Sequence, residues 1–91
     1  MIGVVTPLRL RDGVITKVVG HEMVLLDYER GIYYGLNDVG ARTLSLIAEG
    51  FSMADVVDRL LEEFEVSRTA LQSDLERLLS ELQSKGLLES V

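Results

Sequence analysis

Apolar positions along this chain recur at a period of two in its first part and at helical spacing in the rest, and the change falls at Leu36-Asn37. Val14 to Val19 is a β-branched run, Met23 to Leu26 is apolar on both faces, and Ile32 to Leu36 is a short aromatic and branched run between Gly31 and Asn37. Such runs, bounded by turn residues, predict strands. Gly20-His21-Glu22 and Asp27-Tyr28-Glu29-Arg30-Gly31 supply the turns, with Gly31 suited to the left-handed residue of a hairpin loop. The expectation is a meander with Met23 to Leu26 as its buried central strand and Ile32 to Leu36 as its last.

Asn37 then caps a first helix, Asp38 to Glu49, whose inner side carries Val39, Leu44, Ile47 and Ala48 and which Gly50 ends. Ser52 caps a second helix, with Asp55 three residues on and Phe51 placed to staple onto Val56. Its apolar stripe is Met53, Val56, Val57, Leu60, Leu61 and Phe64. Ser67 caps a third, longer helix with Val66 and Leu71 as its staple pair. Its stripe is Leu71, Leu75, Leu78, Leu79 and Leu82; Gly86 stops it, and Leu87-Leu88 is expected to fold back on the last turn. Residues 1–12 hold the only proline, Pro7, and read as an arm or edge strand; residues 13–91 form the domain. The fold class is α+β, a small winged-helix-like domain with a three-stranded antiparallel sheet followed by three helices. Here the sheet comes first, whereas in common DNA-binding winged helices the hairpin wing follows the helices.

Composition narrows the functions available. With 91 residues, 47% hydrophobic and 5% aromatic, a Leu, Val and Ile core is possible but an enclosed active-site cavity is not favoured. No cysteine is present, so disulfides and thiolate metal sites are excluded. No apolar run has the length to span a bilayer and no signal pattern opens the chain, which predicts a cytoplasmic protein without a membrane partner. Fifteen acids face nine scattered bases, a net charge of −6, which argues against nucleic acid.

Candidate chemistry is sparse. His21 is the single histidine and falls in a turn. Glu62, Glu63 and Glu65 read as a solvated helix end, because paired catalytic carboxylates need burial to separate their pKa values. Gly31, Gly35 and Gly40 lack the spacing and the Lys-Ser or Lys-Thr of a phosphate loop. No catalytic residue, metal ligand or cofactor site is therefore assigned. What remains is the last strand, which in a three-stranded meander has a neighbour on one side only. Ile32 to Leu36 contains no proline, lysine or other charge to block its free edge. An unprotected edge beside an apolar helix is the setting for peptide strand addition. Residues of one parity, Ile32, Tyr34 and Leu36, turn their backbone groups to one neighbour, and Tyr33 and Gly35 to the other; the pattern alone does not say which.

The run Tyr34-Gly35-Leu36-Asn37-Asp38-Val39-Gly40-Ala41-Arg42, followed by Ser52-Met53-Ala54-Asp55-Val56-Val57 and Leu60, resembles the PqqD-like proteins, including the discrete ones of lasso-peptide gene clusters. The resemblance covers roughly residues 13 to 88. It implies a RiPP recognition element, which binds the leader of a ribosomally made precursor as a strand beside the third strand, in a cleft closed by the third helix. The elements it implies correspond to Ile32 to Leu36 and the Leu71–Leu82 helix, and the peptide-binding residues expected on them are Ile32, Tyr33, Tyr34, Gly35 and Leu36 with Leu71, Asp74, Leu75, Arg77 and Leu78. It also implies a separate leader peptidase, with a cyclase acting afterwards. The alternatives from the residues alone are a nucleic-acid-binding winged helix and a dimerisation module that pairs the same open edge with a second copy.

Overall fold

The computed structural model describes residues 8–90. In chain order it holds β1 (Leu8–Leu10), β2 (Val14–Val19), β3 (Glu22–Asp27), β4 (Ile32–Leu36), α1 (Asp38–Ala48), α2 (Met53–Glu63), α3 (Arg68–Ser84) and β5 (Leu88–Ser90). β2, β3 and β4 form an antiparallel sheet in that order, so β3 is central and β2 and β4 are edges. The helices start where their caps require: Asn37, Ser52 and Ser67 side chains accept from the amides of Gly40, Asp55 and Ala70 at 2.9, 3.2 and 3.1 Å.

The turns set which backbone groups are free. Between β2 and β3 lie Gly20, at φ +63, and His21, whose φ is not positive. Glycine first in a two-residue turn is the type II′ pattern. Its flanking residues, Val19 and Glu22, are register partners and exchange both bonds of the closing pair. Alternation along the strands then directs the polar groups of Met23, Leu25 and Asp27 to their partners Leu36, Tyr34 and Ile32. The groups of Tyr33 and Gly35 are left facing the open edge of β4, and those of Thr16 and Val18 the open edge of β2; the Val14 amide donates to the Arg11 carbonyl at 3.1 Å.

Two apolar clusters hold the helices. One lies under the sheet and joins Met23, Leu25 and Leu36 to Leu44 of α1, Leu79 and Leu82 of α3, and Leu8, Leu87 and Leu88. The other joins Leu46, Val56, Val57, Leu60, Leu71 and Leu75 among the helices. α1 serves both clusters, so its buried arc is wider than one stripe. Leu46 is buried in place of the expected Ala48, which is exposed, and Thr43 is buried with its hydroxyl donating to the Val39 carbonyl at 2.7 Å. Phe51 packs against the second cluster, whereas Val66, its expected counterpart at the start of α3, is exposed.

The central strand is not buried on both faces. Met23, Leu25 and Asp27 are buried, but Val24 and Leu26 are half-buried on the opposite face, where Ile15 and Tyr33 stand in solvent. At the end of α3, Leu87 does fold back: its amide donates to the Leu82 carbonyl at 2.9 Å, and that of Gly86, at φ +73, to Gln83 at 3.0 Å. Leu88 does not; it begins β5, which pairs antiparallel with β1, Leu10 opposite Leu88. Residues Leu8–Leu10 of the expected arm thus belong to a second, two-stranded sheet and not to an edge of the first. The rest of the arm, with Pro7, lies outside the described residues.

One polar clasp ties the β3–β4 loop to α3. The Arg30 amide donates to Asp27 Oδ1 at 3.2 Å, and its Nε lies 3.3 Å from Asp27 Oδ2. Its guanidinium also donates to the carbonyl of Lys85, the C-cap of α3, where a cation is favoured by the helix dipole. Asp27 is 7% exposed and depends on Arg30 for its compensation. Arg30→Ala keeps the backbone amide on Oδ1 but leaves Oδ2 of this buried carboxylate without its cation, and is expected to destabilise the fold by about 1–3 kcal/mol. Gly50 and Gly86 both have positive φ, but a Cβ at Gly86 meets the Arg30 guanidinium while one at Gly50 meets open space. Alanine at Gly50 should cost the left-handed penalty of about 1–2 kcal/mol, and alanine at Gly86 more. Urea melts of the three variants measure both, and equal costs at the two glycines would mean that Arg30 is not seated on α3.

Candidate functional site

Along the open edge of β4 the sheet and α3 diverge, leaving a groove of about 380 Å³. Tyr34, Gly35 and Leu36 line one wall, and Asp74, Leu75, Arg77, Leu78 and Glu81 the other. Asn37, Val39 and Gly40, in the cap and first turn of α1, line it where β4 ends. The cap is what makes this corner compact: a Cβ at Gly40 would lie 3.2 Å from Leu36 Cδ2 and 3.4 Å from Asn37 Oδ1.

Seven of the ten expected site residues line this groove, namely Tyr34, Gly35, Leu36, Asp74, Leu75, Arg77 and Leu78. Three side chains do not. Ile32 packs against the cluster under the sheet, and Leu71 is 2% exposed in the cluster among the helices. Tyr33 is 74% exposed on the far face of the sheet, as its parity requires, although its backbone groups face the open edge. Leu75 both lines the groove and packs in the core, at 1% exposure. Asn37, Val39, Gly40 and Glu81 were not among the expected residues. Glu81 had a signal, since it stands four residues beyond Arg77 and seven beyond Asp74 on one helix face.

Leu36, Val39, Leu75 and Leu78 give the groove an apolar floor, and the rim is charged. Arg77 Nη2 lies 2.8 Å from Asp74 Oδ1, but both side chains are largely exposed, so the pair adds little to stability and is free to exchange for a ligand's charge. Tyr34 reaches across from β4. Burial holds its phenol above the ordinary value, and the charge and hydrogen bond of Glu81 push it further, against the opposing pull of Arg77. The protonated phenol and the Glu81 carboxylate both line the groove. The groove contains no histidine; His21 lies by the β2–β3 turn, in a different depression. Its equipment is an unpaired strand edge, an apolar floor and a polar rim, which together suit a backbone in extended form.

Leu79→Ala and Leu75→Ala are each expected to cost about 2–5 kcal/mol as buried leucines. Leu78→Ala, half-buried, should cost clearly less; thermal melts rank the three. Because folding raises the Tyr34 phenol's pKa, its contribution is complete below the ordinary tyrosine value and is lost as pH rises through the folded value. Tyr34→Phe should thus flatten the fall of stability above about pH 10, read from denaturant midpoints at stepped pH.

A family model described as Coenzyme PQQ synthesis protein D (PqqD) matches residues 22–88. A solved structure of TbiB1 in complex with the TbiA(beta) leader peptide is 37% identical with a TM-score of 0.81, over 89% of this chain and 94% of that one. A solved structure of lasso peptide synthetase B1 complexed with the leader peptide is 35% identical with a TM-score of 0.82, over 91% of this chain and 98% of that one. Comparison with curated proteins finds no match.

Proposed function

This chain belongs to the PqqD family, and from that premise we propose that it is a RiPP recognition element. It binds the leader of a ribosomally synthesised precursor peptide as an added strand on β4 and presents it to a separate leader peptidase, with a cyclase acting afterwards. The observation that carries this reading is the unpaired edge of β4 running beside the groove under α3. A leader strand there accepts from and donates to the backbone of Tyr33 and Gly35, while alternate side chains enter the groove. Backbone pairing supplies affinity with little sequence choice, and the apolar floor and charged rim supply selection. A lasso-type precursor is favoured over redox-cofactor biosynthesis by the near-complete mutual coverage with lasso peptide synthetase B1.

The proposed role is binding, for which the groove offers a strand edge, an apolar floor and a charged rim. Nucleic acid is disfavoured because Arg9, Arg30, Arg42, Arg68 and Arg77 are each paired with an acid. Among the described residues no helix is long and apolar enough to cross a membrane. The protein works in the cytoplasm, where its precursor is made.

The test is titration of the cognate leader by calorimetry, with single amide-to-ester replacements along β4. Binding is expected at tens of micromolar or tighter. Esters at Tyr33 and Gly35 should weaken it by about 0.5–1.5 kcal/mol each and leave the free protein's stability nearly unchanged. Esters at Ile32, Tyr34 and Leu36 should instead lower stability by a similar amount. Loss of binding without this alternation, or no binding at all, would overturn strand addition to β4.

A further inference from the structure

Among the described residues the sheet has a second open edge, and its exposed side chains are the more aliphatic. β2 presents Ile15, Val18 and Val19 at 50%, 64% and 60% exposure, with Lys17 the one charge along the strand. Edge strands of this kind are usually short, covered or charged; β2 is six residues long. The type II′ turn leaves the backbone groups of Thr16 and Val18 directed away from β3, while the Val14 amide, of the same parity, donates to the Arg11 carbonyl at 3.1 Å.

Beside this edge lies a depression of about 420 Å³ between the β2–β3 turn, α1 and the end of α2. Val18, Met23, Ala41 and Phe64 make its apolar part. Its charges are uneven. Arg42 is already held by Glu63 through two bonds of 2.8 and 3.0 Å. Glu22 and Asp38 also line it, and among the described residues neither has a basic side chain as partner. The depression therefore offers an apolar seat with surplus negative charge beside an unpaired strand.

We propose that the β2 edge is a second strand-addition site, which takes an extended segment of a partner protein in which basic residues alternate with apolar ones. The segment's backbone pairs with Thr16 and Val18, its apolar side chains seat against Val18 and Phe64, and its bases reach Glu22 and Asp38. Leader on β4 and partner on β2 occupy opposite edges of the sheet and do not compete. The inference does not rest on leader binding. A second copy of this chain is the poorer occupant, because each copy brings the same surplus acids and a net charge of −6.

The probe is a capped hexapeptide, Lys-Val repeated three times, titrated into isotopically labelled protein and followed by backbone amide shifts. Saturable shifts are expected in β2 and around Ala41 and Phe64 at concentrations up to about 2 mM, and the corresponding Glu-Val peptide should bind at least tenfold more weakly. Thr16→Pro removes an outward amide that β3 does not use, so it should abolish the shifts while the spectrum stays dispersed. Should that variant unfold, Glu22→Lys provides the second arm and should reverse the preference between the two peptides. The proposal is overturned by absence of saturable shifts, by shifts confined to β4, or by indifference to the peptide's charge. Shifts that depend on protein concentration alone would assign the edge to a second copy instead.

Discussion

Every amide and carbonyl of a strand needs a partner on the side to which it points, and among the described residues β4 is paired with a strand on one side only. The rest of the fold keeps that condition in place. The type II′ turn at Gly20 sets the parity by which Tyr33 and Gly35 face outward. The Asn37 cap starts α1 at once after β4, so the chain cannot return along the strand and close its edge. The Arg30 clasp fixes the loop before β4 to the end of α3. Strand and helix thereby flank one groove, with the outward groups of β4 along its edge.

Local signals carried most of this architecture. Asn37, Ser52 and Ser67 mark helix starts because a side-chain oxygen can satisfy a first-turn amide only at that position, and the structure uses all three. Gly31 and Gly86, both at positive φ, mark the loop and the helix end where expected. The pairing of β1 with β5 was not legible. Each is three residues long, they join opposite ends of the chain, and neither has a periodicity of its own. Leu46 was missed and Ala48 wrongly chosen because a helix that packs on two layers buries an arc wider than one stripe.

At the groove, the sequence located the elements better than the side chains. Seven lining residues follow from the meander and the third helix, but a leucine stripe does not state where core ends and groove begins. Leu71 and Leu78 stand seven residues apart on one stripe, yet Leu71 is enclosed by α2 while Leu78 lies beyond it, half-buried. Asn37 and Gly40 were legible as cap and helix start, and that reading concealed their second place on the groove wall.

The two edges of the sheet pose the same physical problem and meet it with different surroundings. β4 has α3 beside it, a floor of Leu36, Val39, Leu75 and Leu78, and a rim of Asp74, Arg77 and Glu81 with a single surplus acid. β2 has exposed aliphatic side chains and a depression whose acids outnumber its bases. Backbone pairing is common to both edges and cannot discriminate between incoming strands; the neighbouring side chains must do so. A strand rich in lysine loses little by approaching β2, but at β4 it must give up hydration for an apolar floor. A strand with large apolar residues gains most at β4, where that floor removes them from water. As proposed, the two edges of one small sheet take different peptides, and these side chains are what keeps them apart.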